Sequence, residues 1–114
     1  MASVLPALAA ICGCGGGSET RDAIFYKATG SLQCLPSQTT QARLDAEVSA
    51  LRLVGAFVTT SACATDGRLY PTVCGGATGD LFSVTVSADS AFVTEQAGFA
   101  PSTAFTDARP TDCR

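Results

Sequence analysis

Residues 81–86 have the sequence Leu-Phe-Ser-Val-Thr-Val, in which apolar and polar side chains alternate after the leucine. Phe82, Val84 and Val86 fall on one face, and the serine and threonine between them fall on the other, which is the period of a β-strand. The pattern predicts a strand with one buried face and one face in contact with solvent, as is common in antiparallel sheets.

The clearest helix signal lies upstream, between a proline-containing break and a glycine. Leu44, Val48 and Leu51 are spaced at i, i+4 and i+7 and would share one face of a helix. Thr39 or Thr40 can cap its start, and Gly55 is well placed to end it after about Val54.

Shorter segments rich in β-formers, or bounded by caps and glycines, complete the pattern. They predict strands over residues 23–28, 56–61 and 69–74, and a second helix over about 89–97. Pro71 places the 69–74 strand at a sheet edge, because proline cannot donate a ladder hydrogen bond.

The resulting order is β-α-β-β-β-α, which predicts an α+β fold. The first two strands flank a helix, so they are expected to be parallel neighbours joined by a helical crossover. We expect a small, disulfide-linked two-layer sandwich, with a mixed sheet and the helices on one face. One domain would cover residues 23–114, with an irregular C-terminal tail from about residue 101.

Composition excludes several functions for this chain of 114 residues with a net charge of −3. The seven basic residues form no cluster, so the sequence lacks the electrostatic footprint of a nucleic-acid-binding protein. Histidine is absent, which removes the commonest general base and the commonest transition-metal ligand. We therefore expect no metal and no cofactor.

The N-terminus begins with an uncharged stretch, and residues 2–11 (ASVLPALAAI) have the length of a signal-peptide core. Ile11-Cys12-Gly13-Cys14 follows. This segment resembles the lipobox of a bacterial lipoprotein precursor, whereas the domain behind it resembles no family that we can name. The resemblance implies that residues 1–13 are a signal peptide, that Cys14 is acylated, and that residues 14–22 form a flexible tether.

The same resemblance implies a location in the cell envelope, periplasmic or extracellular, with the membrane as one partner. In a Gram-negative cell the outer membrane is expected. The residue after the acylated Cys14 is Gly15, and not the Asp that resembles an inner-membrane retention signal. Two other interpretations of the N-terminus remain: a buried helix with free thiols, or a metal or redox pair formed by Cys12 and Cys14.

The cysteine count agrees with export. Of six cysteines, four remain after Cys12 and Cys14 are set aside, an even number suited to disulfides in an oxidising compartment. Four cysteines allow three pairings. We favour Cys63–Cys74, which would close a local loop, and Cys34–Cys113, which would tie down the tail.

Candidate catalytic groups are few. The glycine-rich segment 75–79 lacks the lysine of a phosphate-binding loop and precedes a strand rather than a helix. Asp66 and Asp80 lie in glycine turns, where aspartate is favoured for its own backbone hydrogen bonds. Lys27 alternates with apolar strand residues and is expected to be solvated.

Two function classes follow. The favoured one is a non-catalytic, lipid-anchored envelope protein that binds a protein partner, as an accessory subunit, an assembly factor or an inhibitor. The alternative is a small histidine-free periplasmic enzyme that uses carboxylates or Lys27. For the first class, the expected partner surface is Leu69, Tyr70 and Pro71, because an edge strand leaves backbone groups free and tyrosine is frequent at interface hot spots.

The lipobox resemblance generates a prediction about processing. Protein isolated from the membrane fraction should lack residues 1–13 and carry the added mass of acyl chains on Cys14, as measured by intact-mass spectrometry. Cys14→Ala should release the protein from membranes, because the acyl chains supply the apolar area that holds it there. A native protein that begins at Met1 or Ala2 would contradict the prediction.

Overall fold

The computed structural model describes residues 21–35 and 39–113, so the predicted signal peptide, Cys14 and nearly all of the tether lie outside the described residues. Within that part, five strands form one sheet beside two α-helices. The elements, in chain order, are β1 Asp22–Ala28, α1 Thr40–Leu53, β2 Val58–Thr65, β3 Asp80–Ser87, α2 Ala91–Gln96, β4 Ala100–Pro101 and β5 Arg109–Pro110. Single 3₁₀ turns, Ala88–Ser90 and Ser102–Ala104, precede α2 and follow β4.

The strand that contains residues 81–86, β3, lies at the centre of the sheet. The strand order is β4-β1-β3-β2-β5, and all four pairings are antiparallel. The α+β class is thereby confirmed, but the predicted mixed sheet is wrong. β1 and β2 do run in the same direction, yet β3 lies between them. The strand with the most buried side chains takes the central position, where it is paired along nearly its whole length on both edges.

One face of the sheet forms the core with the helices, as predicted. Phe82, Val84 and Val86 are all at most 1% exposed. The α1 stripe packs against this face, and α2 adds partly buried side chains. The other buried side chains of this core come from β1, β2, α1 and the connections: Phe25, Leu44, Val48, Leu51, Ala56, Val58, Cys63 and Phe99. The arrangement is a two-layer sandwich.

The boundaries of α1 follow the sequence signals. The Thr39 side chain accepts a hydrogen bond from the Ala42 backbone N–H at 3.2 Å, which makes Thr39 the N-cap. Just beyond the helix, Gly55 has φ +95°, a conformation that L-residues with a Cβ rarely adopt. In the part of the chain that the structure describes, no helix is long and apolar enough to cross a membrane.

Two predicted segments differ from the structure. Residues 69–74 form no strand; the described loop that contains them has one isolated bridge, between Leu32 and Ala77. The tail beyond residue 100, predicted to be irregular, supplies β4 and β5. These are the sheet edges, and each contains a proline, so proline does mark edge strands here, but not at Pro71.

The disulfides are Cys34–Cys74 and Cys63–Cys113, so the predicted pairing was wrong. The reason is tertiary. The loop that carries Cys74 folds back onto residues 32–35, whereas the tail runs beside β2, where the Thr111 N–H donates to the Cys63 carbonyl at 3.1 Å. Cys63 therefore meets Cys113, and Cys74 meets Cys34.

Peptide mapping under non-reducing conditions should recover these two links, whose cysteines lie 40 and 50 residues apart in the sequence. By the loop-entropy model, replacing either pair with alanine should lower the free energy of unfolding by about 4 kcal/mol. Denaturant titration of the two double variants measures this. A recovered Cys63–Cys74 or Cys34–Cys113 peptide would contradict the structure.

Candidate functional site

The most distinctive surface of the molecule is the connection between β2 and β3, residues 66–79, which we call the braced loop. Long connections without regular secondary structure are uncommon in compact domains and are often functional. This loop lies at the end of the sheet where β2 ends and β3 begins, since Thr65 pairs with Asp80. Its conformation is held by side chains from two directions.

Gln33 is the first of these braces. Its backbone N–H donates to the Gly76 carbonyl, and its carbonyl accepts from the Gly75 N–H, both at 2.8 Å. Its side chain satisfies three more backbone groups of the loop: Nε2 donates to the carbonyls of Pro71 (2.8 Å) and Ala77 (3.0 Å), and Oε1 accepts from the Val73 N–H (3.1 Å). One residue thereby supplies the pairing that a neighbouring strand would otherwise provide.

The Cys34–Cys74 disulfide is the second brace and lies next to Gln33 in the sequence. Cys34 has φ +68°, in the left-handed region, which is uncommon for a residue other than glycine. Such a conformation persists only where the surroundings enforce it. The Gln33 hydrogen bonds and the covalent link enforce it here.

Asp66 and Tyr70 brace the loop from within. One Asp66 carboxylate oxygen accepts from the Arg68 backbone N–H at 2.9 Å, and the other accepts from the Tyr70 hydroxyl. This hydrogen bond, burial and the Asp66 charge raise the pKa of Tyr70, while Arg68 acts in the opposite direction. Gly79 has φ +77°, and a Cβ there would lie 2.7 Å from the Tyr70 ring, so this packing requires glycine.

The fixed loop presents apolar side chains to solvent. Leu69 is 100% exposed, and Val73 is 54% exposed. Leu32 and Leu35 are exposed on the segment that braces the loop. A group of exposed apolar residues on a rigid support is typical of a protein interaction site.

The three residues of the predicted partner surface therefore have different positions. Leu69 and Pro71 are exposed, but Tyr70 is half-buried and its hydroxyl is bound to Asp66. Tyr70 anchors the loop instead of offering a polar tip to a partner. Gln33, which does most to hold the loop, carried no sequence signal beyond its place beside Cys34.

Lys27 is not the solvated strand residue that the sequence predicted. Its Nζ forms an ion pair with Glu47 of α1 at 3.1 Å and donates to the Ala97 carbonyl at 3.1 Å, just after α2. It also lies 5.4 Å from the centre of the Phe99 ring. Lys27 links β1 to both helices, which is a structural role.

Asp66 and Asp80, the two aspartates of the predicted turns, lie at the same groove. Asp66 and Asp80 line a shallow groove of about 180 Å³ beside the braced loop, together with Tyr70 and Phe105. The Lys27 side chain binds Glu47 and the Ala97 carbonyl, and Lys27 is not among the residues that line this groove. No group of three or more potential metal ligands occurs among residues 21–35 and 39–113.

Comparison with known proteins gives no relative: no family model matches the chain, and no curated protein or solved structure is similar to it. Function is therefore inferred from the residues of the chain itself. Among those that the structure describes, the braced loop combines a defined conformation with exposed apolar side chains.

The raised pKa of Tyr70 generates a prediction about pH. The neutral hydroxyl stabilises the fold below the ordinary tyrosine pKa of about 10, and this contribution is lost as pH rises through the higher pKa of the folded state. Tyr70→Phe should therefore lower the melting temperature at pH 8, and the difference from wild type should shrink well above pH 10. Circular dichroism melts at both pH values measure it.

Tyr26→Phe is the matched control, because Tyr26 is the chain's other tyrosine and packs its ring against Phe105 with centroids 5.6 Å apart. A Tyr70→Phe difference that does not change between the two pH values, or that equals the Tyr26→Phe difference, would contradict the assignment.

Proposed function

We propose that the chain is a lipid-anchored, non-catalytic protein of the cell envelope that binds a protein partner through the braced loop. One observation carries the proposal: the Leu69 side chain is 100% exposed on a loop that is fixed on both sides. A monomer gains nothing from placing a leucine entirely in water. A partner with an apolar pocket would gain the burial.

The fixed conformation makes that burial effective. A loop that is ordered before binding loses little conformational entropy when the complex forms. Burying a leucine side chain contributes about 1.5–3 kcal/mol. Val73 on the same loop, and Leu32 and Leu35 on the segment that braces it, are also exposed and would extend the apolar contact. The partner surface we expect is apolar at its centre, as in an accessory subunit, an assembly factor or an inhibitor complex.

The anchor and location are proposed on separate grounds. Ile11-Cys12-Gly13-Cys14 resembles a lipobox, and all four cysteines beyond it form disulfides in the structure. Disulfides are compatible with an oxidising compartment such as the periplasm. Together these features support an exported protein held at a membrane through Cys14.

The enzyme alternative receives less support. Both carboxylate oxygens of Asp66 accept hydrogen bonds within the loop, and Lys27 forms an ion pair with Glu47 of α1. The pKa of Tyr70 is raised, which keeps its hydroxyl protonated, whereas a general base would need the opposite shift.

Affinity purification of the tagged, membrane-anchored protein tests the proposal. Leu69→Ser should reduce recovery of the specific partner, and its affinity should fall by about ten- to a hundredfold, as expected for one leucine removed from an interface. The control is Ile24→Thr. Ile24 is 43% exposed on β1, at a distance from the loop, and threonine suits a strand.

Thermal melting must show that both variants fold. An unchanged set of co-purifying envelope proteins with Leu69→Ser would show that the braced loop is not the interface. Equal losses with both variants would point to a general effect on folding or export. A measurable turnover abolished by Asp66→Asn or Asp80→Asn would instead establish the enzyme alternative.

A further inference from the structure

We infer that a second exposed apolar surface, at the end of the sheet opposite the braced loop, lies against the lipid bilayer. This end patch consists of Leu53, Val54, Phe57 and Phe92, which are 87%, 58%, 64% and 70% exposed. The inference rests on the proposed lipid anchor and adds the orientation of the domain at the membrane.

The end patch lies where the chain enters the domain. Asp22, the first residue of β1, pairs with Ser87, the last residue of β3, and Val58 at the start of β2 pairs with Val86. The Thr59 hydroxyl donates to an Asp22 carboxylate oxygen at 3.3 Å. Residues 53–57 and the first turn of α2 are therefore at the same end as the segment that leads from Cys14.

The two parts of the end patch are held together by hydrogen bonds. The Phe57 N–H donates to the Ser90 hydroxyl at 2.8 Å, and the Ser87 N–H donates to the Phe57 carbonyl at 3.1 Å. Val54 and Val93 line one shallow groove between the end of α1 and α2. The patch is a fixed surface formed by two segments.

Chain length places this surface near the anchor. Cys14 precedes Asp22 by eight positions, and eight residues span at most about 28 Å even when fully extended. The strands then lead away from that end, at about 3.4 Å per residue, to the braced loop. An acyl chain on Cys14 therefore keeps the end patch close to the bilayer, and Leu53, Phe57 and Phe92 are side chains that insert at its interface.

The charges at this end favour insertion of apolar side chains into the bilayer over electrostatic attraction to anionic lipid headgroups. Asp22 and Asp89 lie there, and so do Arg21 and Arg52, so the two signs are mixed. Binding of the patch should therefore depend weakly on the content of anionic lipid. In its mixed charge this surface differs from the polybasic segments that bind anionic headgroups.

The absence of tryptophan from the sequence allows a direct test. Phe92→Trp and Leu69→Trp each introduce a single reporter, one in the end patch and one in the braced loop. The full protein from the membrane fraction is reconstituted into phosphatidylethanolamine–phosphatidylglycerol vesicles, with and without brominated acyl chains. We expect the Trp emission of the Phe92 variant to shift to the blue and to be quenched by the brominated lipid, and that of the Leu69 variant to do neither.

A second arm separates the patch from the anchor. A Cys14→Ser chain with a hexahistidine tag in place of residues 1–13 is tethered to vesicles that contain a nickel-chelating lipid. If Phe92→Trp does not fold, Leu53→Trp serves as the patch reporter. Quenching in this arm shows insertion of the patch without the native acyl group. Intact-mass spectrometry of the native protein measures separately whether Cys14 carries acyl chains. Native protein without acyl chains would contradict the inference that the bilayer covers the patch.

The inference is overturned if neither patch reporter is quenched in tethered protein, or if the Leu69 reporter is quenched equally. A blue shift that appears without vesicles and grows with protein concentration would show that a second copy covers the patch. A blue shift that requires added envelope protein would assign the patch to a protein partner instead of lipid.

Discussion

The antiparallel pairing of β3 with both of its neighbours is the constraint on which the rest of the structure depends. β3 pairs with β1 from Asp22↔Ser87 to Ala28↔Leu81, and with β2 from Val58↔Val86 to Thr65↔Asp80. Its apolar face is buried beneath the helices, so its register cannot slip by one residue without turning that face towards solvent. The register in turn fixes which connections share an end of the sheet.

The two ends of the sheet differ in how their connections are held. At one end, the long, irregular connection from β2 to β3 is held by Gln33, by the Cys34–Cys74 disulfide and by the hydrogen bond between Tyr70 and Asp66. At the other, the chain enters at Asp22, and hydrogen bonds join the Phe57 backbone to the Ser90 hydroxyl and to the Ser87 N–H. Both ends expose apolar side chains on fixed backbone. This is the physical basis for proposing a protein partner at one end and a bilayer at the other.

The polar groups of the domain serve mainly to join its elements. Lys27 connects β1 to both helices, and the Arg43 guanidinium reaches back from α1 to the Thr29 carbonyl at 2.6 Å and to the Ser31 hydroxyl at 2.9 Å. Among the described residues, no buried side-chain nitrogen or oxygen lacks a hydrogen-bond partner. These hydrogen bonds join the elements of the domain to one another.

The alternation of residues 81–86, the stripe of α1 and the caps at Thr39 and Gly55 were predictable, because each is a local pattern that the structure preserves. The α+β class followed from the same local reasoning, whereas Leu69 was predicted to lie on an edge strand that the structure does not form. Local patterns carry no information about which strands become neighbours, so the central place of β3 was missed, and with it the antiparallel sheet.

The disulfide pairing failed for that same reason, since it depends on which loops share an end of the sheet. The role of Gln33 was invisible in the sequence, because its hydrogen-bond partners lie about 40 residues away along the chain and meet it only in the folded protein. The sequence by itself determined the longer local elements and the resemblance to an export signal. Only the tertiary structure decided how the elements pair and which apolar side chains remain outside, because both depend on contacts between residues that are distant in the chain.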